Sequence, residues 1–285
     1  MKHDHSHALE DHALEDHDRG LSFDLPRLVS RRRALGLLAG SVGTVALAAC
    51  GSSDNDATST TGTSSDDGSS TTGSSADGAT EIPDETAGPY PGDGSNGPNV
   101  LAESGVVRSD ITKSVGDASG VAEGVPTTVE MTLLDVAGGG KPLAGAAVYL
   151  WHCNIAGQYS MYDQDVADQN YLRGVQESDG DGKLAFTTIF PAAYAGRWPH
   201  IHFEVYESVD AATSASSKLK TSQIALPAET CELVYATEGY EQSVQNLSQT
   251  SLDTDNVFSD GYASQLATAS GTVDSGIAVK LNVGV

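Results

Sequence analysis

The sequence predicts an all-β fold, a β-sandwich core with long loops, preceded by an export signal and a disordered linker. Three observations carry this expectation. From Thr127 to the last residue the apolar positions recur with period two, as they do in strands whose side chains point to opposite faces in turn. Clusters rich in Gly and Asp interrupt those runs, as in GGGKPLAG (138–145) and DGDG (179–182). Helical periodicity is weak, apart from short helices expected near 240–250.

Residues 1–50 read as a leader. The polar stretch MKHDHSHALEDHALEDHDRG holds five of the eight histidines and predicts an unstructured tail with at most weak metal affinity. In SRRRALGLLAGSVGTVALAAC, Arg31 to Arg33 precede an apolar run, 34–49, that is shorter than the ~20 residues needed to span a bilayer. The pattern is that of an export signal rather than a transmembrane anchor. Ser30, Arg31 and Arg32 resemble the twin-arginine signal, although Ala34 stands where that signal usually has Phe. Leu47, Ala48, Ala49 and Cys50 resemble a bacterial lipobox, whose cysteine receives lipid. The expected location is therefore the outer face of the cytoplasmic membrane, as a cell-envelope lipoprotein or an extracellular protein. Membrane contact would run only through lipid on Cys50.

Residues 51–81 read as a disordered linker, because 51–80 contain only Gly, Ser, Thr, Asp, Asn and Ala and offer nothing to offset the entropy of ordering. Residues 82–285 are long enough for one domain with a sizeable core. Their strands are expected at TTVEMTLLDV (127–136), AAVYLWHC (146–153), KLAFTTIF (183–190), HIHFEVYE (200–207), SQIALP (222–227) and IAVKLNVGV (277–285). Cys153 and Cys231, in an exported protein, are expected to form a disulfide worth about 4–5 kcal/mol in the chain-entropy model.

The net charge of −24 argues against a nucleic-acid partner, which needs clustered Lys and Arg. The leader removes 7 acidic and 6 basic residues, so nearly all of that acidity belongs to residues 50–285.

Outside the leader the only histidines are His152, His200 and His202. Positions i and i+2 of a strand share a face, so His200 and His202 project together while Ile201 and Phe203 point away. Two imidazoles on one face suit a metal ion. No Asp or Glu adjoins the pair, but Tyr159 in NIAGQYS and Tyr194 in FPAAYAGRWPHIH lie upstream. Tyrosinate is a hard anionic donor that suits ferric iron, and the bound cation lowers the phenol pKa. DQDVADQN (163–170) imitates the start of a calcium loop but lacks its glycine and its final acid.

The runs AGAAVYLWHCNIAGQYS and YLRGVQESDGDGKLAFTTIFPAAYAGRWPHIHFEVY resemble the core of the intradiol ring-cleavage dioxygenases, across roughly residues 85–230. The resemblance implies non-haem Fe(III) held by Tyr159, Tyr194, His200 and His202, with Tyr194 and His202 axial. It implies a catecholic substrate and O2 as partners, and cleavage to a cis,cis-muconate-type product. Tyr194 would leave the metal when catechol binds and take up a proton. Arg197 would stand beside the substrate ring and stabilise negative charge on it. Gln223 resembles a glutamine of the same pocket, and Tyr90 in GPYPGDG an aromatic near it. The oligomeric state stays open, a homo-oligomer included. A helical N-terminal dimerisation segment like that of the catechol 1,2-dioxygenases is not expected here, where the leader and linker stand in its place. The competing reading is a non-catalytic transthyretin-like β-sandwich binding module on the cell surface, which VEMTLLDVAGGGKPLAGAAVYL also resembles. Such a module needs no set of two tyrosines and two histidines.

Overall fold

The computed structural model describes residues 80–285. The leader, the twin-arginine and lipobox motifs with Cys50, and the linker up to residue 79 lie outside the described residues. The fold is the expected β-sandwich.

One sheet is built on β1 (Pro126–Asp135). Along one edge β1 pairs in parallel with β9 (Gly276–Gly284), which in turn pairs with β8 (Thr268–Thr272). Along the other it pairs antiparallel with β5 (Lys183–Ile189) and, past Thr132, with the two-residue β2 (Lys141–Pro142). The second sheet is antiparallel throughout, in the order β4 (Arg173–Glu177), β3 (Ala147–Trp151), β6 (His200–Tyr206), β7 (Lys218–Ala225). Two short helices, α1 (Ala228–Tyr235) and α2 (Glu241–Leu247), follow β7.

Period-two patterning decides what faces what. Val129, Met131 and Leu133 of β1 and Leu184 and Phe186 of β5 meet Val148 and Leu150 of β3 and Ile201, Phe203 and Val205 of β6 in one buried cluster between the sheets. The alternate residues of β3 and β6 point the other way. Tyr149, Trp151, His200, His202, Glu204 and Tyr206 lie on the outer face of the second sheet, yet all are buried. Segments 86–106 and 152–172 cover that face, with Val100, Leu101, Val106 and Tyr159 packed on Tyr149 and Trp151. A strand covered on both sides is buried at every position, as β3 and β6 are.

The expected disulfide is corrected: Cys153 and Cys231 are free and buried. They belong to opposite sides of the second sheet. Cys153 lies in the outer cluster with its Sγ on the Ala192 carbonyl, and Cys231 on α1 lies in the cluster between the sheets. Burial pushes the Cys153 thiol up to about 12. Among the described residues no helix is long and apolar enough to cross a membrane.

Candidate metal centre

Strand register assembles the site. His202 on β6 lies opposite Trp151 on β3 and Gln223 on β7, and Trp151 lies opposite Arg173 on β4. The outer face therefore carries one row: Arg173, Trp151, His202, Gln223. The Trp151 ring stacks on His202 with centroids 4.9 Å apart and planes 6° from parallel, which fixes the imidazole plane. His200, two residues earlier on the same face, stands edge-on to His202 at 80°.

Two loops bring the tyrosines. In NIAGQY the Asn154 side chain accepts from the N–H groups of Ala156 and Gln158, both at 2.9 Å, closing a turn that presents Tyr159. Gly157 at that turn has φ +80°, and a Cβ there would lie 3.1 Å from Cβ of Tyr194. A glycine two residues before Tyr159 thus lets the two tyrosine loops approach. Tyr194 lies between β5 and β6 in a segment pinned by the helices. Tyr235 and Tyr240 donate to the carbonyls of Pro191 and Phe190, and α2 grips Ala193 through Ser243 and Asn246.

The four side chains converge. Nε2 of His200 lies 3.0 Å from Nε2 of His202 and 3.1 Å from the Tyr194 hydroxyl. The Tyr159 ring stands 6.0 Å from that of Tyr194 and 6.1 Å from that of His202. Nδ1 of His200 meets the Trp198 carbonyl at 2.5 Å. A carbonyl only accepts, so Nδ1 carries the proton and Nε2 presents its lone pair inward. Two Nε2 atoms at that separation need a proton or a cation between them. Tyr159 Oη is buried and makes no hydrogen bond among the described residues. Burial holds both imidazoles well below the usual histidine pKa, with Arg197 adding to this, so they are neutral and able to ligate. Burial raises both phenols, Tyr194 up to about 12, so their deprotonation calls for a cation. This donor set fits a hard, highly charged metal ion. Among the described residues no three His, Cys, Asp or Glu side chains form such a cluster; tyrosines complete this one.

Arg197 is buried beside the four. Its Nε donates to Asp255 at 2.9 Å and its Nη2 to Oε1 of Gln223 at 2.7 Å, and Nη1 lies 3.4 Å from Nε2 of His200. Nε2 of Gln223 donates to the Thr86 carbonyl, tying the site to the covering arm. On that arm Gly88 packs against the His202 ring and Tyr90 against Tyr159. Burial opposes the Arg197 charge, but Tyr194 and Asp255 outweigh it and raise its pKa.

All six residues singled out in the sequence, Tyr159, Tyr194, Arg197, His200, His202 and Gln223, thus meet in one place. Three others escaped sequence reasoning: Asp255, Trp151 and Arg173. His152 stands apart, bonded to Thr188 and the Cys153 carbonyl.

Residues 96–212, which span β1 to β6 and all four candidate ligands, match the dioxygenase family model (Dioxygenase_C). The match and the relatives below make the chain similar to the intradiol ring-cleavage dioxygenases over that stretch. It is 45% identical over 56 residues to catechol 1,2-dioxygenase 1 of Acinetobacter lwoffii, covering 19% of this chain and 18% of that one. To catechol 1,2-dioxygenase 2 of the same organism it is 39% identical over 56 residues, 20% of each chain. The matched stretch spans about a fifth of these curated relatives. An intradiol ring-cleavage dioxygenase of Tetranychus urticae shares the fold, with a TM-score of 0.54 at 23% identity over 72% of this chain and 94% of that one.

Proposed function

We propose that this protein is a non-haem iron(III) intradiol dioxygenase that opens the ring of a catechol-type aromatic with O2, to a cis,cis-muconate-type product. The observation that carries this reading is the convergence of Tyr159, Tyr194, His200 and His202, with two inward-facing imidazole nitrogens 3.0 Å apart and a buried, unbonded Tyr159 hydroxyl. These four residues would hold the iron. Bound ferric iron supplies the Lewis acidity and redox capacity that make a catecholate ring reactive toward O2.

The chain's own groups do the rest. Tyr159, His200 and His202 are buried, whereas Tyr194 is partly exposed. Tyr194 is thus the donor best able to swing out, and its phenolate would accept a catechol proton at Oη. Trp198 holds His200 in the ligating tautomer. Arg197 directs fixed positive charge at the substrate side, where negative charge develops on the ring. Gln223 orients Arg197 through Oε1. The arm through Gly88 and Tyr90 keeps bulk water from the buried ligands. Export and lipid attachment at Cys50 belong to the same proposal, supported by the Arg31–Arg33 run and the LAAC motif.

The test is the visible absorption spectrum of the iron-loaded protein. Tyrosinate on ferric iron gives a broad charge-transfer band that shifts when catechol is added, and Tyr159→Phe weakens it. An iron-loaded protein that stays colourless refutes the tyrosine ligands and favours the binding-module reading.

A further inference from the structure

We propose that Asp255 is the positioning residue for Arg197, and that it sets the direction in which the guanidinium charge faces the substrate; this rests on the dioxygenase reading above. Asp255 lies in the loop after α2 and is 1% exposed. Its carboxylate accepts four N–H bonds. Oδ2 takes Arg197 Nε at 2.9 Å and the Trp198 backbone N–H at 2.7 Å. Oδ1 takes the backbone N–H groups of Val257 and Phe258 at 2.8 and 3.2 Å.

Two consequences follow. First, the 255–258 turn is clamped to residues 197–198, the segment whose Trp198 carbonyl holds His200. One side chain therefore reaches both the arginine and the support of a candidate ligand. Second, the guanidinium is fixed on three sides. Asp255 holds Nε, Gln223 holds Nη2, and the Phe258 ring, whose own N–H is bonded to Asp255, lies 5.9 Å from the guanidinium carbon. Only Nη1 stays turned toward the His200 and Tyr194 side. Without the carboxylate Arg197 would be a buried cation free to turn toward other acceptors. Asp255 touches none of the four candidate ligands in these bonds; it positions the charge through Arg197, and its Trp198 bond ties down the backbone that supports His200.

The experiment is a double-mutant cycle in the full iron-loaded chain with Asp255→Asn and Arg197→Met. Asp255→Asn is expected to keep the tyrosinate–iron band and to lower kcat about 10- to 100-fold, less than or equal to the loss typical for removing a preorganised donor. In the Arg197→Met background it is expected to change kcat less than about threefold and to lower the thermal midpoint less than in the wild-type background, because the Arg197 bond is already gone while the three backbone N–H bonds remain. Asp255→Ser removes the charge without setting an amide donor against four N–H groups and replaces Asp255→Asn if that variant does not fold. Unchanged kcat in both single Asp255 variants, or losses that multiply in the double variant, overturns the proposal. A wild-type protein that neither colours nor turns over sinks the dioxygenase reading instead, and the thermal arm then still tests the Asp255–Arg197 coupling by itself.

Discussion

Arg173 gives the sharpest test of how the fold holds the site. It is 1% exposed, and all five of its N–H groups go to neutral oxygens. Nε and Nη2 reach Oγ and O of Ser160; Nη2 also reaches the Tyr90 carbonyl; Nη1 reaches the Pro91 carbonyl and the Tyr149 hydroxyl. Ser160 follows Tyr159, and the Tyr90 ring packs 5.1 Å from that of Tyr159. Arg173 thus braces one candidate ligand from two sides. In Arg173→Met three of the acceptor groups keep another bond: Tyr149 still donates to Pro91, and the Ser160 hydroxyl still donates to Tyr171. The Tyr90 and Ser160 carbonyls each lose a charged donor, at about 2 kcal/mol apiece. Methionine fills much the same volume, so the expected loss is about 4 kcal/mol in urea unfolding. Arg173→Lys, with three donors on one nitrogen, should lose about half of that. Iron should bind more weakly to both variants in the same order, read from the charge-transfer band. A loss below about 1 kcal/mol for Arg173→Met would mean that relief from burying a charge cancels the lost bonds, and the bracing argument would fail.

Two further perturbations follow from the same structure. Gly92 has φ +65°, and a Cβ there would lie 2.8 Å from Nη1 of Arg173, so Gly92→Ala should cost about 1–2 kcal/mol in backbone strain alone. It should also displace Arg173 and weaken the iron band without touching any ligand. His152 is buried and its pKa is pushed down to about 4 by burial. The folded state thus resists a proton that the unfolded chain takes up near 6.5, and stability present above that pH is lost as pH falls toward about 4. The total is about 3 kcal/mol, and urea unfolding compared at about pH 7.5 and about pH 4.5 should show a shallower loss for His152→Gln than for the wild-type protein.

What the sequence made legible follows from burial. β1, β5 and β9 alternate because one face of each meets the inter-sheet core and the other is more open, so their period survives in the residue pattern. The pair on β6 was legible although that strand is buried on both faces, because HIHFEVY alternates His, His and Glu with Ile, Phe and Val. β4 was not, since RGVQE is short, carries a glycine against Ile111 and shows no period. β8, TASGT, is mostly exposed and small, with nothing apolar to mark it. α1 opens directly after a strand, at Pro227, with only eight residues. The disulfide failed because cysteine count and compartment say nothing about which side of a sheet a side chain takes. Gln223 rested on the resemblance alone, and cross-strand register beside His202 is what gives it weight. Asp255 lies 58 residues from Arg197, in LDTDNVFSD, one acid among many in an acidic chain. Its only local signal is an Asp followed by two N–H groups it can bond, as in an Asx turn.

The charges on the outer sheet face also explain why this site should favour anions. Two arginines are buried there. Arg197 is paired with Asp255, while Arg173 is held by neutral oxygens and lies over the Tyr162 ring. Burial above all holds the His202 imidazole uncharged, and both arginines add to it. Arg197 likewise favours the phenolates of Tyr159 and Tyr194 against the burial that opposes them. The two guanidinium charges therefore favour anionic oxygen donors on this face, the tyrosinates among them. A catecholate, which brings two such oxygens, matches that bias; a neutral phenol ether of the same shape does not. Under the proposed reading, the fixed charges would supply part of the preference for such a substrate, and the metal would add to it.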